Sequence, residues 1–491
     1  MNTSCKRSIW WVKRDFRLSD NGALCRALTE SDEVIPLYVF EPLVLQGPDW
    51  GDVHTQAIHQ GATSLRNNLE HYNSTLVVRQ GSVITALEAI HTATPFSAIY
   101  AHAETGLNHT YERDQAVAAW CTRKGIDYIE VPTNGVVRGL KNRDHWQGLF
   151  QAEMNAPLLP VPKTHLPHSL PEGITKGRIP SLQSLGMREN KQLWVVSERM
   201  AHDTLQEFLR TRAHGYSGGI SSMNTAPTAC SRLSVHLAWG TISLATVLNR
   251  SQQRLAQLAS EKDDAAMRLK KSLRKFVSRL YWHSHFVQKL EDEVEMEFEP
   301  VNPVFEDGLP YVTGYELERR LSAWRDGTTG FVMIDAAMRY YQIHGWLNFR
   351  SRAAITSFAT HALRIPWQIV VYELAKKMHD YVPGIHVSQV QMQAGVTGTN
   401  TIRVYSPQKQ LEDHDPNCVF AKKWIPELQA YSAADILKHR NHPLPGYIEP
   451  IIDFEVETKL MKDALYGKKK SPDGRLNAKR VYKKHGSRKK R

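Results

Sequence analysis

The chain has 491 residues, of which 42% are hydrophobic and 23% are charged, and its net charge is +12. This length supports two or three domains with sizeable cores, and no run of eighteen apolar residues could cross a membrane. The N-terminus leads straight into a strand-like segment instead of a signal peptide, so we expect a soluble, intracellular and therefore cytoplasmic protein without a membrane partner.

The cysteines indicate what kind of site the chain does not build. All five stand singly, with no C-x-x-C pair: Cys5, Cys25, Cys121, Cys230 and Cys418. This spacing argues against a disulfide framework, a zinc site and an iron–sulfur cluster, which needs about four convergent thiolates. We therefore expect no bound metal.

Strand and helix signals alternate over residues 8–132. The β-rich segments are IWWV, EVIPLYVF, STLVVRQ, SAIYAHA and IDYIEVP, and amphipathic segments separate them. The alternation predicts an N-terminal α/β domain with a doubly wound parallel sheet, which we place at residues 1–133. The first strand is followed by KRDFRLSDNGAL, so the G-x-G-x-x-G dinucleotide fingerprint is absent.

Charged residues follow this first strand. Arg14, Asp15 and Arg17 stand at its carboxyl end, where open α/β sheets place functional loops, although structural ion pairing explains them equally. Asp20 and Asn21 are expected to cap the helix that begins near residue 22.

A proline-rich segment separates the two halves of the chain. Six prolines between Pro157 and Pro180 predict an extended connector, which we place at residues 134–195. Beyond it, helical periodicity replaces the strand signals and predicts a larger all-α domain at residues 196–450.

The positive charge is concentrated in the remaining extension, residues 451–491. From Lys468 to Arg491 there are twelve Lys and Arg residues against a single acid, Asp473, so this segment alone carries +11. Because it has few apolar residues, we predict a disordered tail that is either simply solvated or a polyanion-binding arm.

Polar residues cluster at three places in the helical half. Hydroxyl groups precede a helix at TACSRLSVHLAW, an arrangement that can bind an anion. Arg279 and Trp282 in SRLYWHSHF suit stacking on a planar ligand or base, although a core Trp with flanking surface charges explains them equally. In GWLNFRSR, Arg352 is one turn from Asn348, and a buried Arg352 would need a carboxylate such as Asp380.

Five collinear blocks resemble the photolyase/cryptochrome family. They are WWVKRDFRLSDNGAL, ACSRLSVHLAWGTIS, TGFVMIDAAMR, GWLNFRSR and IRVYSP with KKWIPEL, and together they run through nearly the whole chain. The resemblance is to a divergent, DNA photolyase-like subgroup without an iron–sulfur cluster. It implies an antenna-type α/β domain and a helical domain that holds FAD in a U-shape. A second antenna chromophore, of folate or deazaflavin type, is left open.

The resemblance assigns residues to the cofactor by position. Arg352 and Asp380 would flank the isoalloxazine, and His386 would lie beside flavin N5, where it could change its charge near neutral pH. The residues implied in cofactor binding are Tyr216, Cys230, Ser231, Arg232, Leu233, Ser234, Phe276, His283, Arg352, Asp380, Val382 and His386.

The family also suggests how DNA would be bound. Its reduced FAD absorbs blue light and passes an electron to a pyrimidine dimer that is flipped out of the DNA stack. Trp282 matches the stacking Trp and Arg403 matches a phosphate-binding Arg. The implied DNA contacts are Arg279, Trp282, Asn348, Phe349 and Arg403, and the implied catalytic residues are Trp367, Trp282 and His386.

Several positions depart from the family. Arg279 stands where cyclobutane-dimer enzymes have a Glu, and Phe349 stands where they have an Asn. The paired His of (6-4) enzymes is missing as well, because Asn348, Phe349 and Ala353 occupy that region.

The family's relay of three tryptophans is also altered. Trp367 matches the middle member, whereas the flavin-proximal position falls at Val390 or Gln391 and the distal one beside Gly314 and Tyr315. We hypothesise that photoreduction uses another route through Trp367, with Tyr315 as the terminal donor.

The first functional hypothesis is a monomeric DNA photolyase that splits cyclobutane pyrimidine dimers in UV-damaged single- or double-stranded DNA. The alternatives are a cryptochrome-like photoreceptor, a (6-4) photolyase, and a flavoprotein that binds DNA without repairing it.

Overall fold

The structure is a computed structural model that describes residues 5–162, 166 and 169–486. The N-terminal part contains a parallel sheet, and the rest of the described chain is almost entirely helical. The predicted combination of an α/β domain with a larger all-α domain is confirmed.

The sheet has five parallel strands in the order β3-β2-β1-β4-β5. The central strand, β1, pairs Ile9 with Ile35 on one side and with Ile99 on the other. The strands are β1 (Arg7–Trp11), β2 (Glu33–Phe40), β3 (Val77–Gln80), β4 (Ala98–His102) and β5 (Asp127–Val131).

Helices cover both faces of this sheet. Successive residues of β1 point to opposite faces, so that Trp10 lies in one hydrophobic core and Trp11 in the other. The first core includes α1 and α3, and the second includes α4 and α5. The helices of this part are α1 (Gly22–Glu30), α2 (Pro42–Leu45), α3 (Asp52–Glu70), α4 (Val83–Ala93), α5 (Asn108–Lys124) and α6 (Trp146–Met154).

Among the described residues, no helix is both long enough and apolar enough to span a membrane. The helical domain follows the connector. Its helices are α7 (Glu198–Glu207), α8 (Ala213–Gly219), α9 (Ala226–Ala229), α10 (Ser234–Ala238), α11 (Leu244–Gln257), α12 (Asp264–Asp292), α13 (Gly314–Asp326), α14 (Val332–His344), α15 (Phe349–Ser357), α16 (Trp367–Ala375), α17 (Pro383–Ala394), α18 (Pro407–His414), α19 (Val419–Trp424), α20 (Ala433–Lys438), α21 (Phe454–Lys470) and α22 (Pro472–His485).

The charged residues after β1 join the two domains. The Arg14 guanidinium lies 4.4 Å from the Trp239 ring centroid and donates to the carbonyl oxygen of Tyr381 at 2.7 Å. Arg17 donates to the carbonyl oxygen of Gly240 at 3.0 Å, and Asp15 pairs with His102 inside the α/β domain. These contacts support the structural interpretation of the cluster.

The proline-rich connector follows the edge of the sheet. The N–H of Val78 in β3 donates to the carbonyl oxygen of Lys176 at 2.8 Å, and Arg66 donates to the carbonyl oxygen of Gly177 at 3.1 Å. The connector therefore covers an edge strand whose backbone groups would otherwise be open to pairing with another chain.

The C-terminal extension differs from the prediction of a disordered tail. Residues 454–485 form α21 and α22, and only residues 487–491 of the basic segment lie outside the described part. Phe454, Met461 and Leu465 recur at helical spacing along α21 and are buried, as is Val481 on α22. Overall charge concealed this apolar face, because a narrow stripe is enough to dock a helix on an existing core.

Candidate functional site

The ion pair between Arg352 and Asp380 joins α15 to the start of α17. The Arg352 Nη2 lies 2.9 and 2.8 Å from the two carboxylate oxygens of Asp380. Its Nε donates to the carbonyl oxygen of Leu347 at 2.8 Å. Burial disfavours the charge on Arg352, but the Asp380 carboxylate outweighs it and raises the pKa of the guanidinium. The pair predicted from the sequence is therefore formed.

The segment from Cys230 to Ser234 and the neighbouring Arg212 bring further cations to this region. Burial raises the pKa of the Cys230 thiol to about 11, against the opposing fields of Arg232, Arg352 and Arg212. Arg212 also donates to the carbonyl oxygen of Cys230 at 2.6 Å. Guanidinium groups are well suited to phosphate oxygens, so this segment fits the anionic part of a dinucleotide.

Tyr216 and Phe276 pack in the same hydrophobic core as Leu233 of that segment. The ring centroids of Tyr216 and Phe276 are 5.7 Å apart, and both rings contact Phe208 edge-on. Burial raises the pKa of Tyr216, with Cys230 and Arg279 as electrostatic neighbours. These side chains support the segment by packing.

His386 does not behave as the sequence suggested. Burial lowers its pKa to about 4, so it is neutral at pH 7 and does not titrate near neutrality. Its Nε2 lies 2.8 Å from the carbonyl oxygen of Val371. Since a carbonyl oxygen only accepts, Nε2 carries the proton and Nδ1 can act only as an acceptor. Arg352 and Asp380 are among its electrostatic neighbours, so the three groups lie in one region.

Several buried polar atoms near these residues have no hydrogen-bond partner within the described chain. They are both ring nitrogens of His283, the Oγ of Ser351, the Oγ of Ser388 and the Oε1 of Gln389. They belong to α12, α15 and α17. Buried polar groups in native proteins are nearly always satisfied, so these atoms fit a polar molecule bound among the three helices. The residues present therefore fit FAD.

Most of the predicted DNA contacts lie at the surface, with one exception. Arg279, Phe349 and Arg403 are exposed, and Trp282 is half-buried against His285, at 5.1 Å between centroids. Asn348 is only 2% exposed. Its amide caps α15 by accepting from the N–H of Ser351 and also donates to the carbonyl oxygen of Ile220, so the prediction that Asn348 contacts DNA is wrong.

Val382 lies at the interface between the two domains. It lines a crevice of about 80 Å³ at the carboxyl ends of β1 and β4, together with Lys13, Asp15, His102 and Glu291. The residue was expected to bind the cofactor, whereas the structure directs it towards this interdomain crevice. Within the described residues, no group of three or more His, Cys, Asp or Glu side chains could hold a metal ion.

Trp367 is buried, with 1% of its surface exposed, at the start of α16. The backbone N–H of Val312 donates to the carbonyl oxygen of Arg364, which holds the segment before α13 against the segment before α16. Tyr315 is 83% exposed there, and the Tyr311 hydroxyl lies beside the backbone of Trp367. Sequence matching missed Tyr311, because it lies outside the family blocks.

Gln391 takes a structural role at a position of the altered relay. Its amide donates to the carbonyl oxygens of Met296 and Glu299 at 2.7 and 2.8 Å, and it accepts from the N–H of Val301. An aliphatic amide side chain carries electrons poorly, so the family's relay of tryptophans is interrupted at this position.

Replacing Asp380 with Asn should leave the Arg352 charge without a carboxylate. We expect Asp380→Asn to lower the free energy of unfolding by roughly 3 kcal/mol and to reduce the flavin that copurifies. Denaturant unfolding and flavin absorbance per chain measure both effects. Glu373→Gln, in the more exposed pair with Arg325, is the control and should cost about 1 kcal/mol or less. Equal effects from the two variants would contradict the assignment.

Burial lowers the pKa of twelve described histidines from 6.5, and for seven of them the shift is large. The values are about 2 for His285, about 3 for His54 and His236, and about 4 for His283, His361, His379 and His386. Between pH 6.5 and 4 these histidines bind more protons in the unfolded chain than in the folded chain, and they outnumber the four buried carboxyl groups whose raised pKa acts in the opposite direction. The free energy of unfolding must therefore fall as the pH falls through this window.

His386→Asn should remove the contribution of this histidine to the fall in unfolding free energy at low pH. Relative to the wild type, we expect the loss of unfolding free energy between pH 8 and pH 5 to be smaller by about 2 kcal/mol. Denaturant unfolding at the two pH values measures it, with the exposed His442→Asn as the control. An unchanged pH dependence in His386→Asn would show that this imidazole is not buried in its neutral form.

Comparison with known proteins agrees with this geometry. Residues 276–466 match the family model for the FAD binding domain of DNA photolyase, and residues 8–141 match the model for DNA photolyase. The second matched range contains the parallel sheet except Arg7, and the first contains Arg352, Asp380 and His386. The cofactor of the helical domain is accordingly FAD.

Relatives carry two kinds of name. A deoxyribodipyrimidine photo-lyase from Synechococcus is 24% identical over 94% of this chain and 97% of its own. A cryptochrome DASH from rice is 23% identical over 92% of this chain and 81% of its own. The solved structure of a Synechocystis cryptochrome shares the fold, with a TM-score of 0.82, 18% identity and coverage of 94% of this chain and 100% of its own.

The two matched domains, in the order and with the fold that the sheet and helices show, establish that the chain belongs to the photolyase/cryptochrome family.

Proposed function

We propose that the protein is a DNA photolyase that uses light to split cyclobutane pyrimidine dimers. The observation that carries the proposal is the Arg352–Asp380 pair in the FAD-binding domain, with unsatisfied buried polar atoms on the helices around it. When bound, reduced FAD supplies an electron to the lesion after absorbing blue light. The chain's own residues bind and orient FAD and the lesion and screen both from water.

Arg352 and Asp380 set the electrostatics of the pocket. The raised pKa of Arg352 keeps the guanidinium charged throughout the neutral range. A fixed cation in a site of low dielectric favours the reduced, more negative form of a flavin nearby. His386 adds no charge at pH 7 and offers a single acceptor at Nδ1, so it can orient an N–H group but cannot supply a proton as an imidazolium.

The exposed residues would bind the lesion differently from a carboxylate. A guanidinium only donates hydrogen bonds, so Arg279 would donate to the carbonyl oxygens of a flipped pyrimidine pair. A Glu at this position would instead accept hydrogen bonds from the N–H groups of the pyrimidines. Phe349, which is 59% exposed, adds an apolar face for stacking. Arg403 would hold a phosphate.

A second candidate function is a cryptochrome-like photoreceptor. The observation that favours it is the exchange of lesion-binding polar groups for Arg279 and Phe349, which leaves the pocket mouth cationic and apolar. A photoreceptor needs the flavin and its photoreduction but makes no demand on dimer binding. Repair activity therefore separates the two functions.

The repair assay uses oligonucleotides that contain a cyclobutane dimer or a (6-4) photoproduct, with chemically reduced protein under blue light. We expect light-dependent loss of the cyclobutane dimer and none in the dark. Arg279→Leu should weaken dimer binding by about 1.5 to 3 kcal/mol, because a charged hydrogen bond is removed. Arg274→Leu, exposed on another face of α12, is the control. Repair of neither lesion would reject the proposal.

Trp367→Phe tests the electron route into the flavin. We expect blue-light reduction of the bound flavin to slow several-fold, because Trp367 is the buried aromatic ring next to Tyr311 and the surface segment of Tyr315. The rate of flavin bleaching under steady illumination with an external thiol measures it. Trp324→Phe, equally buried in α13, is the control. An unchanged rate in Trp367→Phe would exclude a route through this ring.

A further inference from the structure

The C-terminal helices α21 and α22 form a compact unit, which we call the basic hairpin (residues 454–485). Ser471 joins the helices and caps α22, where its Oγ accepts from the N–H of Gly474 at 3.0 Å. The inner face of α22 is buried at Gly474, Val481 and His485. Docking on the helical domain therefore orders the hairpin and decides which of its residues face outward.

One end of the hairpin lies beside the predicted phosphate-binding residue. Lys469 Nζ donates to the carbonyl oxygen of Asn400 at 2.5 Å, and Lys468 Nζ donates to that of Val304 at 3.0 Å. Asn400 precedes Arg403 by three residues. The junction of the two helices is therefore adjacent to the segment that carries Arg403.

The other end lies beside the helix that carries the predicted lesion-binding residues. Glu293, directly after α12, accepts from His485 Nε2 at 2.5 Å and pairs with Lys484 at 2.9 Å. Trp282 lies eleven residues earlier along that helix, or about 16 Å at the helical rise. The hairpin thus runs between the two elements that hold Trp282 and Arg403.

The outward face of α22 carries uncompensated positive charge. Arg475, Lys479 and Arg480 are exposed, and none forms an ion pair with any residue of ranges 5–162, 166 and 169–486. Arg475 and Lys479 are four residues apart and share one side of the helix. By contrast, α21 has three acids, Glu455, Glu457 and Asp463, against five lysines, whereas α22 has Asp473 alone against five Lys and Arg residues. The positive field is therefore concentrated on α22.

A helix of fourteen residues spans about 21 Å, and a DNA strand presents a phosphate about every 3.4 Å of duplex axis. The cationic face of α22 therefore matches several consecutive phosphates. Tyr482, 65% exposed on the same helix, offers a ring that can contact sugar or base. An anionic membrane fits less well, because the regularly spaced buried face of α22 is docked on protein and cannot insert.

We propose that the basic hairpin is a second DNA-binding surface that holds phosphates flanking the lesion, beside the surface formed by Trp282 and Arg403. This inference rests on the proposed function for the location of the lesion. The hairpin is a fixed surface and not a loose arm, so its contribution requires no ordering of the chain when DNA binds.

The test compares the full-length wild type with Arg475→Gln/Lys479→Gln/Arg480→Gln. Fluorescence anisotropy with a short dimer-containing duplex, in the dark over a salt series, gives the slope of log K against log salt. We expect the magnitude of the slope to be smaller by about 1 to 2.7 in the triple variant, because each phosphate that is no longer neutralised lowers it by about 0.9. The control, Arg123→Gln/Lys141→Gln/Arg188→Gln, removes three exposed cations elsewhere and should keep the wild-type slope.

Three outcomes would overturn the inference. The first is an unchanged salt slope in a triple variant that melts like the wild type. The second is a fall of the salt slope in the control variant that equals the fall in the triple variant. The third is binding to phosphatidylserine vesicles that the triple variant loses while its salt slope for DNA stays the same. Repair of a dinucleotide dimer by the wild type tests the proposed function separately, because that substrate has too little backbone to reach the hairpin. Failure there with a changed salt slope would reject repair and retain the DNA surface.

Discussion

The Arg352–Asp380 ion pair is the interaction on which the rest of the site depends. A guanidinium among apolar helices is stable only with a carboxylate partner, and that requirement fixes α15 against the start of α17. The same segment reaches the α/β domain through Tyr381, whose carbonyl oxygen accepts from Arg14. The pair that would keep a cation in the proposed flavin pocket thus belongs to a chain of contacts that also joins the two domains.

The fold followed from patterns that the sequence states directly. Five short β-rich segments between amphipathic helices gave the parallel sheet, because period and length distinguish strands from helices over such segments. The Arg352–Asp380 pair could be predicted for a similar reason, since a buried charge demands a partner and few carboxylates are available nearby. The resemblance to the family then proposed which residues bind the cofactor.

The features that were missed depend on packing that local sequence does not express. His386 was expected to titrate near neutrality, but burial lowers its pKa and the Val371 carbonyl holds its single proton, so it stays neutral. Asn348 was expected at the DNA surface, whereas its amide closes the first turn of α15. The C-terminal helices were not predicted because their sequence is mostly charged. The few apolar residues, such as Met461, Leu465 and Val481, stabilise these helices only by packing on the core that they cover.

Photolyase and cryptochrome names both occur among relatives at about the same identity, so sequence identity does not separate repair from signalling. The central claim is that light absorbed by the flavin of this pocket drives repair of DNA. Its most direct test is an action spectrum, in which dimer loss per incident photon is measured across the near-ultraviolet and blue. We expect a spectrum that follows the absorption of the protein's bound, reduced flavin. Dimer loss that does not track this absorption, or no dimer loss at any wavelength, would contradict the claim.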